Sequence, residues 1–171
     1  MFFLGRVLRT GVWLIAGGAL LVAASRVPRR DNEQDLLNRL QQETRPVKKA
    51  KYEIRLARLK LLGARDAVDQ GEPEKVRELL SLYLAHIHTS WQLLQSSGRN
   101  AFRKPEGFKE LDIALRQDGR MLTDLGQRLP YFERGDVDKT AKEIEQIRAE
   151  VIKALFPPAR SHGIGAGEVQ P

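Results

Sequence analysis

The chain contains no cysteine. This absence excludes disulfides, thiol catalysis, haem attached through cysteine, lipid-modified cysteine and zinc sites that use sulfur. Strand signals are also scarce, because no Asn-Gly or Asp-Gly turn joins two alternating β-branched runs. The one Asp-Gly pair, Asp118-Gly119, lies inside a helical pattern. We therefore expect an all-α protein.

Motifs for catalysis and cofactor binding are missing as well. The sequence has no Gly-x-Ser-x-Gly motif, no P-loop and no Gly-x-Gly-x-x-Gly before a helical pattern. It also has no Glu-x-x-His pair, which a di-iron site between helices needs. His86 and His88 are two positions apart, so they project about 200° apart around a helix and cannot chelate from one face. We expect no enzymatic activity, no cofactor and no metal.

Acidic residues are absent from the first 30 positions, which carry five arginines. From Gly11 to Ala24 the chain is apolar and uncharged, and Arg6 and Arg9 precede this run. A basic start, an apolar block and then small residues are typical of an export signal. Residues 1–25 are therefore interpreted as a signal peptide or a signal anchor.

Two properties of this segment favour different fates. The apolar run has 14 residues, fewer than the roughly 20 that span a bilayer, which favours a cleaved signal. Arginines at 26, 29 and 30 oppose translocation, which favours an uncleaved anchor. We expect a cell-envelope location, either exported (periplasmic) or anchored in the inner membrane with the bundle outside the cytoplasm. An anchor with a cytoplasmic domain, or a buried helix, are the remaining alternatives.

The positive charge of the chain is concentrated in this leader. The formal charge is +7, yet without the five arginines of residues 1–30 the chain has 24 basic and 22 acidic residues. A nearly neutral exported domain is a poor match for nucleic acid. We expect a membrane or envelope protein as partner, and no nucleic acid.

Gly and Pro divide the rest of the chain into five segments with helical apolar spacing. A short helix over 31–44 is predicted within a basic linker of residues 26–46. Four longer helices, A to D, are predicted to follow. Helix A is expected from about Val47 to Gln70, and helix B begins after Gly71, with Pro73 in its first turn, and ends at Ser96-Ser97-Gly98. Helix C is expected to start near Pro105 and to end at Pro130. Helix D is expected to be capped by Asp136 and to end at Pro157-Pro158.

Each long helix has an apolar seam at alternating steps of three and four, as in a coiled coil. The seam of helix A is Val47, Ala50, Ile54, Ala57, Leu61, Ala64 and Val68. Short A–B and C–D connections predict antiparallel neighbours. We predict an antiparallel up-down four-helix bundle over 47–156, preceded by a short helix and an N-terminal apolar leader or anchor helix. Residues 157–171 are expected to form a disordered tail. The seams of helices A and C leave a homo-oligomer open.

Asp118 interrupts the apolar seam of helix C. An inward aspartate is costly unless it is paired. One interpretation is that the helix rotates at Gly119, so that Asp118 meets solvent. The other is a buried polar site for a small cationic or polar ligand, with bases of helix A, Arg116, Arg120 or His86 within reach.

Helix A carries a basic flank beside its seam, and this flank is the candidate contact for an anionic surface. Its residues are Lys51, Arg55, Arg58 and Arg65. Acids on helices B and D could neutralise the flank, or it could bind anionic headgroups or an acidic partner. A smaller basic cluster, Arg99, Arg103 and Lys104 beside Phe102, is open to the same two interpretations.

These features favour a non-enzymatic exported or membrane-tethered helical bundle that makes protein–protein or membrane-surface contacts. The alternative is an extracytoplasmic small-ligand sensor bundle with a polar site near Asp118. A catalytic bundle is disfavoured, since ligand and nucleophile motifs are missing. The likeness to extracytoplasmic sensors, adaptors and scaffolds is one of architecture only, and it assigns no site.

Overall fold

A computed structural model describes residues 32–158, which form helices and no strand. The helices are α1 (Glu33–Gln42), α2 (Pro46–Gln70), α3 (Pro73–Ser96), α4 (Phe108–Arg128) and α5 (Gly135–Leu155), with a 3₁₀ turn at Tyr131–Glu133 between α4 and α5. The all-α prediction is confirmed for this part of the chain. The predicted helices A to D correspond to α2 to α5.

Proline and glycine set the limits of α2 and α3. Pro46 and Pro73 each stand in the first turn, where a missing N–H costs nothing. Gly71 ends α2 in the left-handed conformation, with φ at 71°, and its N–H and that of Glu72 bond the last carbonyls.

The start of α4 differs from its prediction at Pro105. The helix begins at Phe108, because residues 101–106 form turns before Gly107 at φ 89°. A side chain at Gly107 would lie 2.5 Å from Leu94 Cδ2 and 2.9 Å from Val47 Cγ1. The chain therefore turns against the ends of α2 and α3, where only glycine fits.

The core is built from the predicted seams of α3, α4 and α5. Each of these helices buries its apolar residues at the expected steps, although Trp91, Leu129 and Ala141 are only partly buried. Trp91 makes an edge-to-face contact with Phe108, with ring centroids 6.1 Å apart. The largest fully buried side chain is that of Tyr83.

The buried surface of α2 is wider than its predicted seam. Ile54 and Val68 are only partly buried, whereas Glu53, Leu56 and Ala67 are buried. The reason is that α2 contacts α1, α3 and α4, so three directions around this helix are covered. Leu36 of α1 is also buried, and Lys60 of α2 binds Glu33 at 2.6 Å.

The long helices associate chiefly as the pairs α2–α3 and α4–α5, and α4 also contacts α2 while α5 contacts α3. In the first pair Glu53 meets His86, whereas Gly63 lies beside Leu79. In the second pair Asp112 meets Arg148, whereas Gly126 lies beside Val137. In both pairs the residue numbers increase along one helix and decrease along the other. The two helices of each pair are therefore antiparallel, as in a helical hairpin.

The predicted leader or anchor (1–25), the first part of the basic linker (26–31) and most of the predicted tail (159–171) lie outside the described residues. Within residues 32–158, no helix combines the length and the apolar character that a membrane crossing requires.

Candidate functional site

Asp118 is the centre of a polar cluster inside the helical unit. Only 1% of its surface is exposed. The Arg58 guanidinium of α2 donates a close hydrogen bond to Oδ1, and the Tyr83 hydroxyl of α3 donates to Oδ2 at 3.2 Å. Residues from α2, α3 and α4 therefore meet at one carboxylate. The interpretation that Asp118 turns to solvent is wrong, because the helix stays in register and an arginine reaches inward instead.

The electrostatics of this cluster follow from its burial. Desolvation raises the pKa of Asp118, and the charge and hydrogen bond of Arg58 and the hydroxyl of Tyr83 offset only part of this effect. Desolvation likewise raises the pKa of Tyr83, and the Asp118 charge raises it further. Arg58 keeps 38% of its side chain exposed, so its charge is partly hydrated. The cluster thus links a buried acid to the surface.

The ligand site predicted at Asp118 stays a prediction. Both carboxylate oxygens already accept a hydrogen bond from the chain itself. A cationic ligand would have to replace Arg58, and a neutral donor would have to replace Tyr83. Among the predicted partners, a base of helix A is the one that the structure brings to Asp118, and it is Arg58.

Three of the four residues of the predicted basic flank are engaged by acids. Lys51 lies 2.9 Å from Glu106 and 2.8 Å from Glu110, and Arg58 is bound to Asp118. Arg65 lies 3.0 Å from Asp66, its neighbour in sequence. Arg55 is exposed. The neutralising acids belong to α4, to the segment before it and to α2 itself, rather than to helices B and D as expected.

The Lys51 cluster joins the start of α2 to the start of α4. The hydrogen bonds that Lys51 donates to Glu110 and Glu106 raise the pKa of Lys51. The bond from Lys51 lowers the pKa of Glu106. Burial raises the pKa of Glu110, but the bonds from Lys51 and from the Gly107 N–H outweigh it and leave the pKa below its usual value. Lys51 therefore acts as a clamp between these two helix starts.

Two histidine–glutamate pairs were not predicted from the sequence. His86 Nδ1 lies 2.6 Å from Glu53, a buried residue of α2, and His88 Nε2 lies 2.6 Å from Glu143 of α5. Because they project apart, the two histidines tie α3 to different helices. The sequence shows that Glu53 lies next to the apolar seam of α2, which is a position where a carboxylate needs a partner. It does not show that the partner is His86, which is 33 positions away.

No group of three or more histidine, cysteine, aspartate or glutamate side chains within residues 32–158 has the geometry to hold a metal ion. Comparison with models of protein families, with curated proteins and with solved structures found no match for this chain.

Proposed function

We propose that this protein is a non-enzymatic component of the cell envelope whose helical bundle makes protein–protein or membrane-surface contacts. In this proposal the apolar run Gly11 to Ala24 brings the bundle out of the cytoplasm, as a cleaved signal or as an anchor. The bundle is an antiparallel up-down four-helix unit. No nucleic acid, cofactor or metal takes part.

The observation that carries the proposal is that the interior polar groups are used in holding helices together. The buried carboxylate of Asp118 is bonded to Arg58 and Tyr83, and that of Glu53 is bonded to His86. No buried side-chain nitrogen or oxygen of the described residues lacks a hydrogen-bond partner. Each of these bonds joins two different helices, and this arrangement supports a scaffold role.

Pairing between the helices supports the bundle arrangement. The pair Lys51–Glu110 joins the start of α2 to the start of α4, and the pair Asp69–Arg128 joins the end of α2 to the end of α4. Arg77–Asp136 and His88–Glu143 join α3 to α5 in the same sense. Two antiparallel hairpins packed side by side, with α2 parallel to α4 and α3 parallel to α5, account for all four contacts.

Cysteine labelling in the native host tests the proposal, because the chain has no cysteine of its own. Ser96→Cys places one thiol on an exposed position at the end of α3. We expect a membrane-impermeant maleimide to label it in cells whose outer barrier is opened and whose cytoplasm is sealed. The unmodified chain, treated in parallel, controls for labelling of other groups.

Labelling by a permeant maleimide alone would contradict the proposal, since the thiol would then lie in the cytoplasm. N-terminal sequencing of the same labelled protein separates the two envelope fates. A new N-terminus near residue 25 identifies a cleaved signal, and an intact N-terminus in the membrane fraction identifies an anchor.

A further inference from the structure

The two ends of the helical unit differ in charge. The basic end consists of residues 43–51, 97–110 and 150–158, which hold nine lysines and arginines and four glutamates. The acidic end consists of residues 65–77 and 124–139, which hold six basic and eight acidic residues. Side-chain contacts assemble each end: Lys51 with Glu106 at the basic end, and Arg77 with Asp136 at the acidic end.

The acids of the basic end are already paired. Glu106 and Glu110 are held by Lys51 and Arg99, and Glu43 lies 3.0 Å from Arg45. Glu150 lies 3.7 Å from Lys153. The excess positive charge consequently falls on other bases of this end, which lie outside these pairs: Lys48, Lys49, Arg103, Lys104 and Lys109.

An exposed aromatic ring stands among these bases. Phe102 lies in the α3–α4 connection, directly before Arg103 and Lys104, and is 63% exposed. Phe156, after the end of α5, is 71% exposed. Apolar rings beside lysine and arginine are suited to the boundary between headgroups and acyl chains, where the ring enters and the bases meet anionic headgroups.

We propose that the basic end, with the exposed Phe102 of the α3–α4 connection, docks on an anionic lipid surface. This inference rests on the proposed function, which brings the helical unit next to a membrane surface. It places the anionic contact on the α3–α4 connection and not on the flank of α2, where acids engage three of the four bases. An acidic protein is a less suitable occupant, because an exposed aromatic ring flanked by bases matches the boundary between acyl chains and anionic headgroups.

The acidic end provides a matched control. Tyr131 and Phe132 are 89% and 82% exposed, so this end displays more aromatic surface than the basic end. Its surroundings carry more acids than bases. If exposed aromatics alone decided docking, the acidic end would face the lipid. If charge complementarity decides, the basic end does.

The test uses the full chain reconstituted in vesicles, with one cysteine per protein. Ser96→Cys reports on the basic end and Gln127→Cys on the acidic end, and both positions are exposed in the last turn of a helix. Each carries a polarity-sensitive dye, and a quencher is attached to the lipid. We expect a blue shift and quenching at position 96 in vesicles with phosphatidylglycerol, and much weaker signals at position 127 or in vesicles of phosphatidylcholine alone.

Two further variants in the Ser96→Cys background assign the effect. Replacing Arg103 and Lys104 by glutamine should lower the docked-to-free ratio roughly five-fold for each charge removed. Phe102→Ser should reduce quenching while the salt dependence is kept. Tyr131→Ser with Phe132→Ser should leave the signal unchanged.

Three outcomes would overturn the inference: quenching at position 127 instead of 96, equal quenching in neutral and anionic vesicles, or no quenching at either position. Signal recovered only by adding an acidic protein would also overturn it, in favour of a protein partner. None of these outcomes contradicts the envelope location, which the maleimide experiment tests separately.

Discussion

Asp118 and Gly119 are neighbours in α4, yet they face different helices and make different kinds of contact. Asp118 faces α2 and α3, where Arg58 and Tyr83 bind its carboxylate. Gly119 faces α5, where a side chain added to it would meet Glu145 and Ile144 only at 3.8 Å. At Asp118, α4 is thus held to α2 and α3 by a charged hydrogen-bond network. At Gly119, it packs against α5 with enough space for a methyl group.

The two contacts of α4 therefore differ in their tolerance for change. A buried charge pair fixes its partners, since removing one member leaves an uncompensated charge in a low dielectric. An apolar contact with spare room accepts an added methyl group. We expect the α2–α4 side to determine the register of α4, and the α4–α5 side to be adjustable.

The largest expected effect comes from removing the base that serves Asp118. Arg58→Ala should lower the free energy of unfolding by about 3 kcal/mol, at the lower end for buried pairs because Arg58 is 38% exposed. The matched control is Arg148→Ala, which frees Asp112 on the α5 side. That pair is 26% and 22% exposed, and its loss should cost less than about 1 kcal/mol. Denaturant unfolding with unchanged m-values measures both.

Equal losses of unfolding free energy in Arg58→Ala and Arg148→Ala would mean that both sides of α4 depend equally on their ion pairs. A triple variant with Arg58→Met, Tyr83→Phe and Asp118→Leu separates the charge from the packing. Because no buried charge or unpaired hydroxyl is left, this variant should regain most of the stability that Arg58→Ala loses. Failure to regain it would mean that the network does more than neutralise Asp118.

The next effect is a pH dependence specific to Asp118. Its pKa in the folded chain is raised, so the native state binds the proton more tightly than the unfolded state does. Stability relative to Asp118→Asn should therefore be highest below the ordinary aspartate pKa of about 3.9 and should fall as pH rises through the raised value. The stability difference lost over this range is about 1.4 kcal/mol for every tenfold difference between the proton affinities of the folded and unfolded chain.

Parallel unfolding curves of the two proteins between pH 3 and 8 measure this difference. A difference that grows with pH would show that the bond from Arg58 exceeds the cost of burial. Arg58→Ala should raise the pKa of Asp118 further, since only Tyr83 is then left to stabilise its carboxylate. The pH range over which the stability difference is lost should therefore become wider.

The helices themselves could be predicted from the sequence, and the cluster could not. Pro46, Gly71 and Pro73 limit the helices locally, so the predicted limits of α2 agree with the observed limits to within a residue, and α3 has Pro73 in its first turn as predicted. Periodicity placed Asp118 in the seam of α4 but left open whether it turns to solvent. It offered the bases of helix A as one group of candidate partners without selecting Arg58, and it did not indicate Tyr83. A seam indicates which side of a helix is buried but not which neighbour, 60 or 35 positions away, covers it.

The basic flank of α2 illustrates the same limit. Four bases along one helix indicate a charged surface only if no other element supplies acids. Glu106 and Glu110 reach Lys51 because Gly107 turns the chain against the start of α2. That turn depends on a positive φ of one residue, and helical spacing carries no information about it.

The smallest expected effect concerns the adjustable side of α4. Gly119→Ala should raise the free energy of unfolding by up to about 1 kcal/mol, since glycine is unfavourable within a helix and the new methyl group meets its neighbours at ordinary contact distance. Gly107→Ala is the contrasting variant, because its methyl group would lie 2.5 Å from Leu94. It should destabilise the protein, by strain at positive φ and by overlap with the core. A loss of stability in Gly119→Ala would mean that α5 is held against α4 as strictly as α2 is, and the contrast between the two sides of α4 would disappear.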